Sequence, residues 1–361
     1  MSTLQISLAI LGSLILAGLV IHSAWSARKN LPKRATPKVA TAPDPAQTQT
    51  EGSTPQPQQT DDLAARQEPS FDADAGLAAL AQFTAPERKA VLDILIDAIA
   101  PVVLDAPVSG EAALAAMPGT RRVGSKPFAI EGLNTQTGEW EIPAAGHRYS
   151  ALQCGVQLAN RTGALNQIEY SEFVMKTQAF VDAVGGQVEF AEMQGEVVRA
   201  RELDQFASAH DAQLGMHLRA VHTSWSPGYV QQSAAGLGFV SGPVPGRMVL
   251  PASQPGHGAV VGLSFDSQAA QSEDPEQTAL RELSLSLDVA QVLRSEKPFA
   301  RMCEVAIALA GSMDGVIIDD NGNPIRPEAM EVIHADLELL YDRLDARDLS
   351  AGSTLGRRLF S

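Results

Sequence analysis

The feature that most constrains this chain is an apolar run at its N-terminus. From Leu4 to Trp25 the sequence contains no Lys, Arg, Asp or Glu. A helix of roughly 20 apolar residues, at a rise of about 1.5 Å per residue, covers a hydrocarbon core about 30 Å thick. The sequence therefore predicts a transmembrane helix over residues 1–27. The side chains expected to contact lipid are Ile6, Leu8, Ile10, Leu14, Leu16, Leu19 and Trp25.

Basic residues lie on one side of this run only. They are Arg28, Lys29, Lys33, Arg34 and Lys38. The positive-inside rule then predicts a single-pass protein whose C-terminal body lies in the cytoplasm. The alternative is a cleaved signal peptide, which needs a positive n-region and a shorter apolar core. The first three residues, 1–3, supply no positive side chain, so the anchor is favoured.

A segment without large apolar side chains follows the anchor. Residues 28–80 begin with the basic cluster and continue as a stretch rich in Pro, Gln, Thr, Ala and Asp. Such a composition buries too little apolar area to offset chain entropy, so we expect a disordered linker. By random-coil and polyproline estimates, ~40 residues of this kind reach well over 50 Å. The run from Pro55 to Gln59 contains no PxxP motif, which favours a spacer over a ligand for a proline-recognition module.

Charge and cysteine content exclude some classes of function. The chain has 27 basic and 42 acidic residues and a net charge of -15, whereas nucleic-acid binding requires a surplus of Lys and Arg. Cys154 and Cys303 each lie in an apolar run and are expected to be reduced core residues. A single bridge between them is the open alternative.

The remainder of the chain divides into two halves with the same predicted order of elements. The first half is predicted to contain a strand at 91–96, a helix at 110–117, strands at 127–134 and 152–158, a helix at 169–186, a strand at 187–190 and a helix at 196–206. The second is predicted to contain a strand at 214–218, a helix at 229–235, strands at 245–252, 258–266 and 283–289, a helix at 296–315, a strand at 316–319 and a helix at 327–344. We infer a tandem duplication.

The predicted fold class is α+β, with two tandem split β-α-β repeats. The predicted repeats span 86–209 and 210–348, and a tail spans 349–361. The strand at 283–289 alternates apolar and polar residues, so it buries only one face. Helices that cover one face of an antiparallel sheet leave the other face free. We expect that free face to be a docking surface.

Motifs for catalysis or metal binding are missing from the sequence. The acidic run at Asp319–Asn323 lacks the spacing of a calcium loop and is better explained by an Asn-Gly turn. His217 and His222 have no further metal ligands at compatible spacing and are expected to be surface residues. No phosphate-binding loop or nucleophile motif is present. We therefore expect no metal, no cofactor and no enzyme activity.

Two stretches of the sequence carry a recognisable pattern. The first is the end of the apolar run, with His22, Trp25, Arg28 and Lys29. The second is the run at 299–337, whose pattern positions are Gly315, Val316, Asp319, Asp320 and Pro327. Both stretches resemble the ZipA family of membrane-anchored cell-division proteins, which bind the tubulin-like protein FtsZ. The resemblance covers about 212–344 of the body, and the first half is expected to be a second copy of the same domain.

The resemblance implies a six-stranded antiparallel sheet backed by three helices, whose exposed face binds the short C-terminal tail of FtsZ in a shallow apolar groove. Carried over, the groove residues are Gln213, Gly215, His217, Val244, Ser264, Asp266, Ser284 and Ser286. Most of them are polar here. Either the groove is shifted, or the first half supplies it, or the affinity is lower.

The implied function is to tether the division ring to the inner membrane through FtsZ. The expected partners are the FtsZ tail and the lipid bilayer, with other division proteins as a further class. The rival hypothesis is an anchored scaffold for other division or cell-wall proteins, in which the two repeats pack face to face and hide both sheets. An anchored hydrolase is a third hypothesis, and no motif supports it.

Overall fold

The computed structural model describes Lys33 and residues 91–254, 256–271 and 278–361. The predicted transmembrane helix and, apart from Lys33, the predicted linker lie outside these residues. Within the described part, none of the helices combines the length and the apolar composition that a membrane span requires.

The described chain folds into two halves, each with one six-stranded sheet and its own helices. The first half contains β1 (Asp97–Ser109), α1 (Gly110–Ala116), β2 (Arg122–Val123), β3 (Lys126–Asn134), β4 (Trp140–Glu141), β5 (Arg148–Gln157), β6 (Ala159–Asn160), β7 (Gly163–Ala164), α2 (Gln167–Val184), β8 (Gly186–Val188) and α3 (Met193–His210). The second contains β9 (Gln213–Ala220), α4 (Pro227–Ala235), β10 (Val240–Ser241), β11 (Arg247–Pro251), β12 (Ala259–Ser264), α5 (Ser267–Ala270), β13 (Glu282–Asp288), α6 (Pro298–Met313), β14 (Gly315–Ile318), α7 (Pro327–Asp345) and α8 (Thr354–Leu359).

Both large sheets are antiparallel, which confirms the predicted α+β class. The first has the strand order β2-β3-β5-β1-β8, with β4 paired to β3. The second has the order β10-β11-β12-β13-β9-β14. In the first sheet β1 lies between β5 and β8, and in the second β9 lies between β13 and β14. The first strand of each half thus pairs with the last long strand and with the short strand that follows the long helix. The two halves therefore share one topology, and the second sheet has one more strand along its path.

Alternation of apolar and polar residues fixes which face of each strand is buried. In β13, Leu283, Leu285 and Leu287 are each 1% exposed, while the residues between them face away. Helix α6 contacts β9, β12, β13 and β14, so it covers the leucine face. In the first half Phe128 of β3 packs edge-on against Phe173 of α2. Each sheet thus has one helix-covered face.

The structure corrects two details of the predicted repeat. Residues 91–96 form an irregular segment with a turn, and the first strand begins at Asp97. The cause is local, because the Asp97 carboxylate accepts a hydrogen bond from the amide of Asp93 at 2.8 Å and folds the chain back. In addition, β3 pairs directly with β5, so its place in the sheet matches β12 and not the strand at 245–252.

The C-terminal residues expected to be a tail instead join the two halves. Helix α8 packs on β6 and on the turn that follows β13. Arg358 forms an ion pair with Asp97 at 2.6 Å, and the Asp97 side chain is 0% exposed. The side-chain amide of Gln157 donates to the Arg358 carbonyl at 2.8 Å, and the side-chain amide of Gln291 donates to the Phe360 carbonyl at 2.7 Å. Buried residues from both halves form one continuous hydrophobic cluster.

A second polar contact lies at the junction of the halves. Arg161, in the β6-β7 hairpin, donates to Asp211 at 2.6 Å and to Asp288 at 2.7 Å. Asp211 belongs to the connection between α3 and β9, and Asp288 ends β13. The two carboxylates raise the pKa of the Arg161 guanidinium. Arg161 therefore links the first half to the residues before β9 and to the end of β13.

Lys33 also lies on the body. Its amide donates to the Ser224 carbonyl at 2.8 Å, and its carbonyl accepts from the Ser226 amide at 2.9 Å. These two bonds form a parallel bridge beside Trp225. The Lys33 ammonium and the Trp225 indole both donate to the Met313 carbonyl, at 2.9 and 2.8 Å. A cation at the C-terminus of α6 is favourable for the helix dipole.

The two cysteines are separate thiols. Cys154 lies in the core of the first sheet, and burial raises the pKa of its thiol to about 12. Cys303 is only partly buried on α6, so the expectation of a core residue is confirmed for Cys154 alone.

Arg358→Ala is expected to lower the free energy of unfolding by about 3–5 kcal/mol, since it leaves the buried Asp97 carboxylate without its cation. Denaturant unfolding of the full chain in detergent measures this change. Arg357→Ala, in the same helix, is the matched control, because Arg357 forms no side-chain ion pair among the described residues. Equal losses in the two variants would contradict the role given to the ion pair.

Candidate functional site

The face of the second sheet turned away from α6 carries a row of small residues across its centre. Ser286 of β13 pairs with Gly215 of β9 on one side and with Gly262 of β12 on the other. Directly paired residues of antiparallel strands share a face, and both Gly215 and Ser286 are exposed. We call these three residues the small-residue row. It forms a shallow depression whose floor is largely backbone.

The small-residue row continues into apolar residues at one edge of the sheet. Val249 of β11 pairs with Gly262, and Val240 of β10 pairs with Val249. The Val240 side chain is 51% exposed. A Cβ on Gly262 would lie 2.7 Å from the Ser286 hydroxyl, so glycine keeps this part of the floor low. The small-residue row therefore leads to apolar side chains, Val249 and Val240, at the β10 edge of the sheet.

A second row on the same face is polar over four strands. It consists of Arg247, Ser264, Ser284 and His217, paired strand to strand, and it ends at the buried Ile318 of β14. The His217 Nδ1 atom lies 3.0 Å from the Ser284 hydroxyl, and its Nε2 atom lies 3.0 Å from the Asp320 carboxylate. Asp320 belongs to the turn after β14, so the imidazole connects that turn to the sheet.

The open face ends in a groove beside α7. Strand β14 pairs with β9 only from His217 to Ala220, so the stretch from Gln213 to Met216 borders the turn after β14 instead of a strand. A cavity of about 700 Å³ lies here. Its lining includes Gly215, Pro324, Ile325, Ala329 and Ile333. An extended peptide could place backbone groups along β9 and apolar side chains against α7.

The turn that borders this groove is held by one carboxylate. Asp319 accepts hydrogen bonds from the amides of Asn323 at 2.8 Å and Asn321 at 2.9 Å. Both bonds lower the pKa of the Asp319 carboxyl, and the bond from the Asn323 amide has the larger effect. Gly322 takes a positive φ of 81°, as expected for an Asn-Gly turn. Within the residues that the structure describes, no group of three or more metal-ligating side chains is placed to hold an ion.

Most of the sequence-predicted groove residues share the open face. Those that the pairing brings together are Gln213, Gly215, His217, Ser264, Ser284 and Ser286. The other two lie elsewhere. Asp266 follows the end of β12 and caps α5, where it accepts from the Gln268 amide at 2.9 Å. Val244 lies in the β10-β11 turn, and its carbonyl accepts from the Arg247 amide.

Sequence reasoning missed the apolar residues of the face. Val249 alternates with buried Met248 and Leu250, and that alternation was a usable signal for a residue facing outward. Val240 lies in a strand of two residues, which is too short for any periodicity. Ile325 and Ile333 flank Pro327 at the start of α7, and only the tertiary structure brings them next to β9.

The equivalent face of the first sheet has an occupant. Gly155 of β5 pairs with Ile99 and Ala129, on the face away from α2. A Cβ on Gly155 would lie 2.3 Å from the Leu92 side chain, so the segment before β1 lies on this face. The Glu131 carboxylate, which is 0% exposed, accepts from the amides of Val91 and Leu92. The open face of the second sheet has no such cover among the described residues.

Comparison with known proteins agrees with the resemblance seen in the sequence. The family model described as ZipA, C-terminal FtsZ-binding domain, matches residues 266–336. The matched range includes β13 and β14, at the centre and at one edge of the second sheet, and α6, which covers one face of that sheet. No curated protein matches the chain. Residues 266–336 of this chain are therefore similar to the C-terminal FtsZ-binding domain of ZipA.

Proposed function

We propose that this protein binds the C-terminal tail of FtsZ on the open face of the second sheet and tethers the division ring to the membrane. The observation that carries the proposal is the match to an FtsZ-binding domain at residues 266–336, which contain β13 at the centre of that face. Ser286 of β13 is exposed at the middle of the small-residue row. The proposed role is binding and not catalysis.

The surface suits an extended peptide that makes few strong contacts. Peptides gain affinity from backbone hydrogen bonds to an exposed strand edge and from side chains in adjacent pockets. The edge of β9 near Gly215 offers backbone hydrogen bonds. Apolar contacts for side chains are offered by Ile325, Ile333, Val240 and Val249. Because the second row is polar, we expect weak binding by each chain. A high local concentration at the membrane compensates for weak contacts.

The exposure of the face favours this proposal over the face-to-face scaffold. In the scaffold hypothesis the first half covers the second sheet. The halves instead meet through α8 and through Arg161, which contacts Asp288 at the end of β13. Gly215 and Ser286 remain exposed. The open face is therefore accessible to a partner in the presence of the first half.

The membrane part of the proposal rests on the sequence of residues 1–27. A run without charges and with an apolar length near 20 residues meets the criterion for a spanning helix. Arg28, Lys29 and Lys33 follow it on one side, which sets the proposed orientation with the body in the cytoplasm. We propose a single-pass protein of the inner membrane.

Ser286→Arg is expected to weaken binding of an FtsZ tail peptide by at least about tenfold, or roughly 1.4 kcal/mol. The long side chain would fill the depression between Gly215 and Gly262. Calorimetric titration of the full chain in nanodiscs with a synthetic tail peptide measures the change.

Two controls accompany this variant. Ser286→Ala keeps the residue small and should bind as the parent chain does. Ser171→Arg adds the same charge on the exposed surface of α2 and should also bind normally. If Ser286→Arg binds the peptide as tightly as Ser171→Arg, the open face is not the site.

Deleting residues 1–27 is expected to move the protein from the membrane fraction to the soluble fraction. Leu14→Arg should weaken insertion, because an Arg at the centre of a spanning helix costs about 2.5–3.5 kcal/mol. Leu14→Ile is the matched control and should stay in the membrane. Fractionation after a high-salt wash measures all three. A deletion variant that remains in the membrane fraction would sink the anchor proposal.

A further inference from the structure

The segment at residues 91–93 lies on the first sheet in the manner of a bound peptide. It belongs to no helix or strand. The amides of Val91 and Leu92 donate to the buried Glu131 carboxylate, the latter at 2.8 Å. The other oxygen of Glu131 accepts from the Gln153 amide at 2.8 Å. Arg358 donates to the Val91 carbonyl. The contacts therefore use the backbone of the segment and one side chain.

That side chain, Leu92, occupies a position with an exact counterpart in the second sheet. Gly186 begins β8 and pairs with Leu104, as Gly315 begins β14 and pairs with Ala220. Leu104 and Ala220 are therefore equivalent positions. Ile99 and Gly215, each five residues earlier in its strand, are equivalent as well.

The strand neighbours follow from the same register. Ile99 pairs with Gly155, and Gly155 with Ala129. Gly215 pairs with Ser286, and Ser286 with Gly262. Leu92 is therefore seated where the second half has its vacant small-residue row.

The first face continues beyond the segment as a partly exposed apolar strip. Val103, Ala151 and Leu133 are paired across three strands, and Trp140 pairs with Leu133. The Val103 side chain is 70% exposed. In the second half the position of Val103 is taken by Arg219, which forms an ion pair with Glu282 at 3.1 Å. The covered face is thus the more apolar of the two.

We propose that residues 91–93 are an internal ligand that closes a second tail-binding face on the first sheet. This inference rests on the proposed function, because the external ligand is the same FtsZ tail peptide. While the segment is seated, the chain offers one open face, on the second half. When the segment leaves, the first sheet presents the site of Leu92 together with the apolar strip, and the chain becomes bivalent.

The structure also indicates how the segment and the peptide compete. A site that is open in only a fraction of molecules has an apparent affinity reduced by that fraction. Loss of the Leu92 side chain removes the apolar contact and leaves the backbone hydrogen bonds of Val91 and Leu92 with Glu131 and Arg358. Variants at Leu92 therefore change the open fraction without touching the second half.

The test counts peptides bound per chain, with the full chain in nanodiscs and a synthetic FtsZ tail peptide. The parent chain should bind one peptide. Leu92→Asp should bind two, since a carboxylate over Gly155 and beside Glu131 expels the segment. Leu92→Ala is the milder variant and should show a second site of at least about tenfold lower apparent affinity than in Leu92→Asp. Circular dichroism checks that each variant is folded.

Further substitutions assign each site to a half. Leu92→Asp with Ala151→Arg, which blocks the apolar strip, should return to one peptide per chain. Leu92→Asp with Ser286→Arg should keep only the new site.

Two outcomes would overturn the inference while leaving the proposed function intact. In one, the parent chain already binds two peptides. In the other, folded Leu92→Ala and Leu92→Asp both bind one. Absence of binding by the parent chain would count against the proposed function itself.

Discussion

The relation between the two halves depends on the buried ion pair of Arg358 with Asp97. Asp97 starts the first strand of the first sheet, and Arg358 belongs to the last helix of the chain. Burial raises the pKa of the Asp97 carboxyl, and the hydrogen bond from Arg358 opposes that shift. The guanidinium also holds the Val91 carbonyl. One cation therefore orients α8, the start of β1 and the segment on the first face.

This arrangement leaves the faces of the two sheets independent. The halves meet at strand ends, through α8 and Arg161, and not through their open faces. Two halves with similar sheets could otherwise bury their helix-free faces against each other. Here the first spare face is covered by a local segment and the second stays exposed. The helix-free faces of the two sheets thus differ in accessibility.

Much of the fold was predictable because strand and helix periodicity are local properties of sequence. The leucines of β13 and the end of α2 at Gly185, which has a positive φ of 74°, follow from residues close together in the chain. The segment at 91–96 misled the prediction, because its apolar run is typical of a strand. Its turn depends on the Asp97 carboxylate, and its place depends on Glu131, far along the sequence.

The candidate site was predictable to the extent that alternation defines a face. Once β9 and β13 were placed, Gly215, His217 and Ser286 had to point the same way. The alternation does not place Asp266 on the open face, because β12 ends at Ser264. The role of α8 was not predictable either. Its six residues are too few for a periodic signal, and its partners lie in the other half.

The contact of Lys33 bears on how far the body stands from the bilayer. Because residues 33 and 91 both attach to the same body, the chain between them adds nothing to the stand-off while Lys33 is seated beside Trp225. Only the residues from the end of the proposed anchor at 27 to Lys33 then separate the body from the lipid, or roughly 20 Å when fully extended. The reach of more than about 50 Å that the sequence predicts for the linker requires that the three hydrogen bonds of Lys33 open first. Lys33, beside Trp225 on the second half, therefore sets which length of chain separates the body from the proposed anchor.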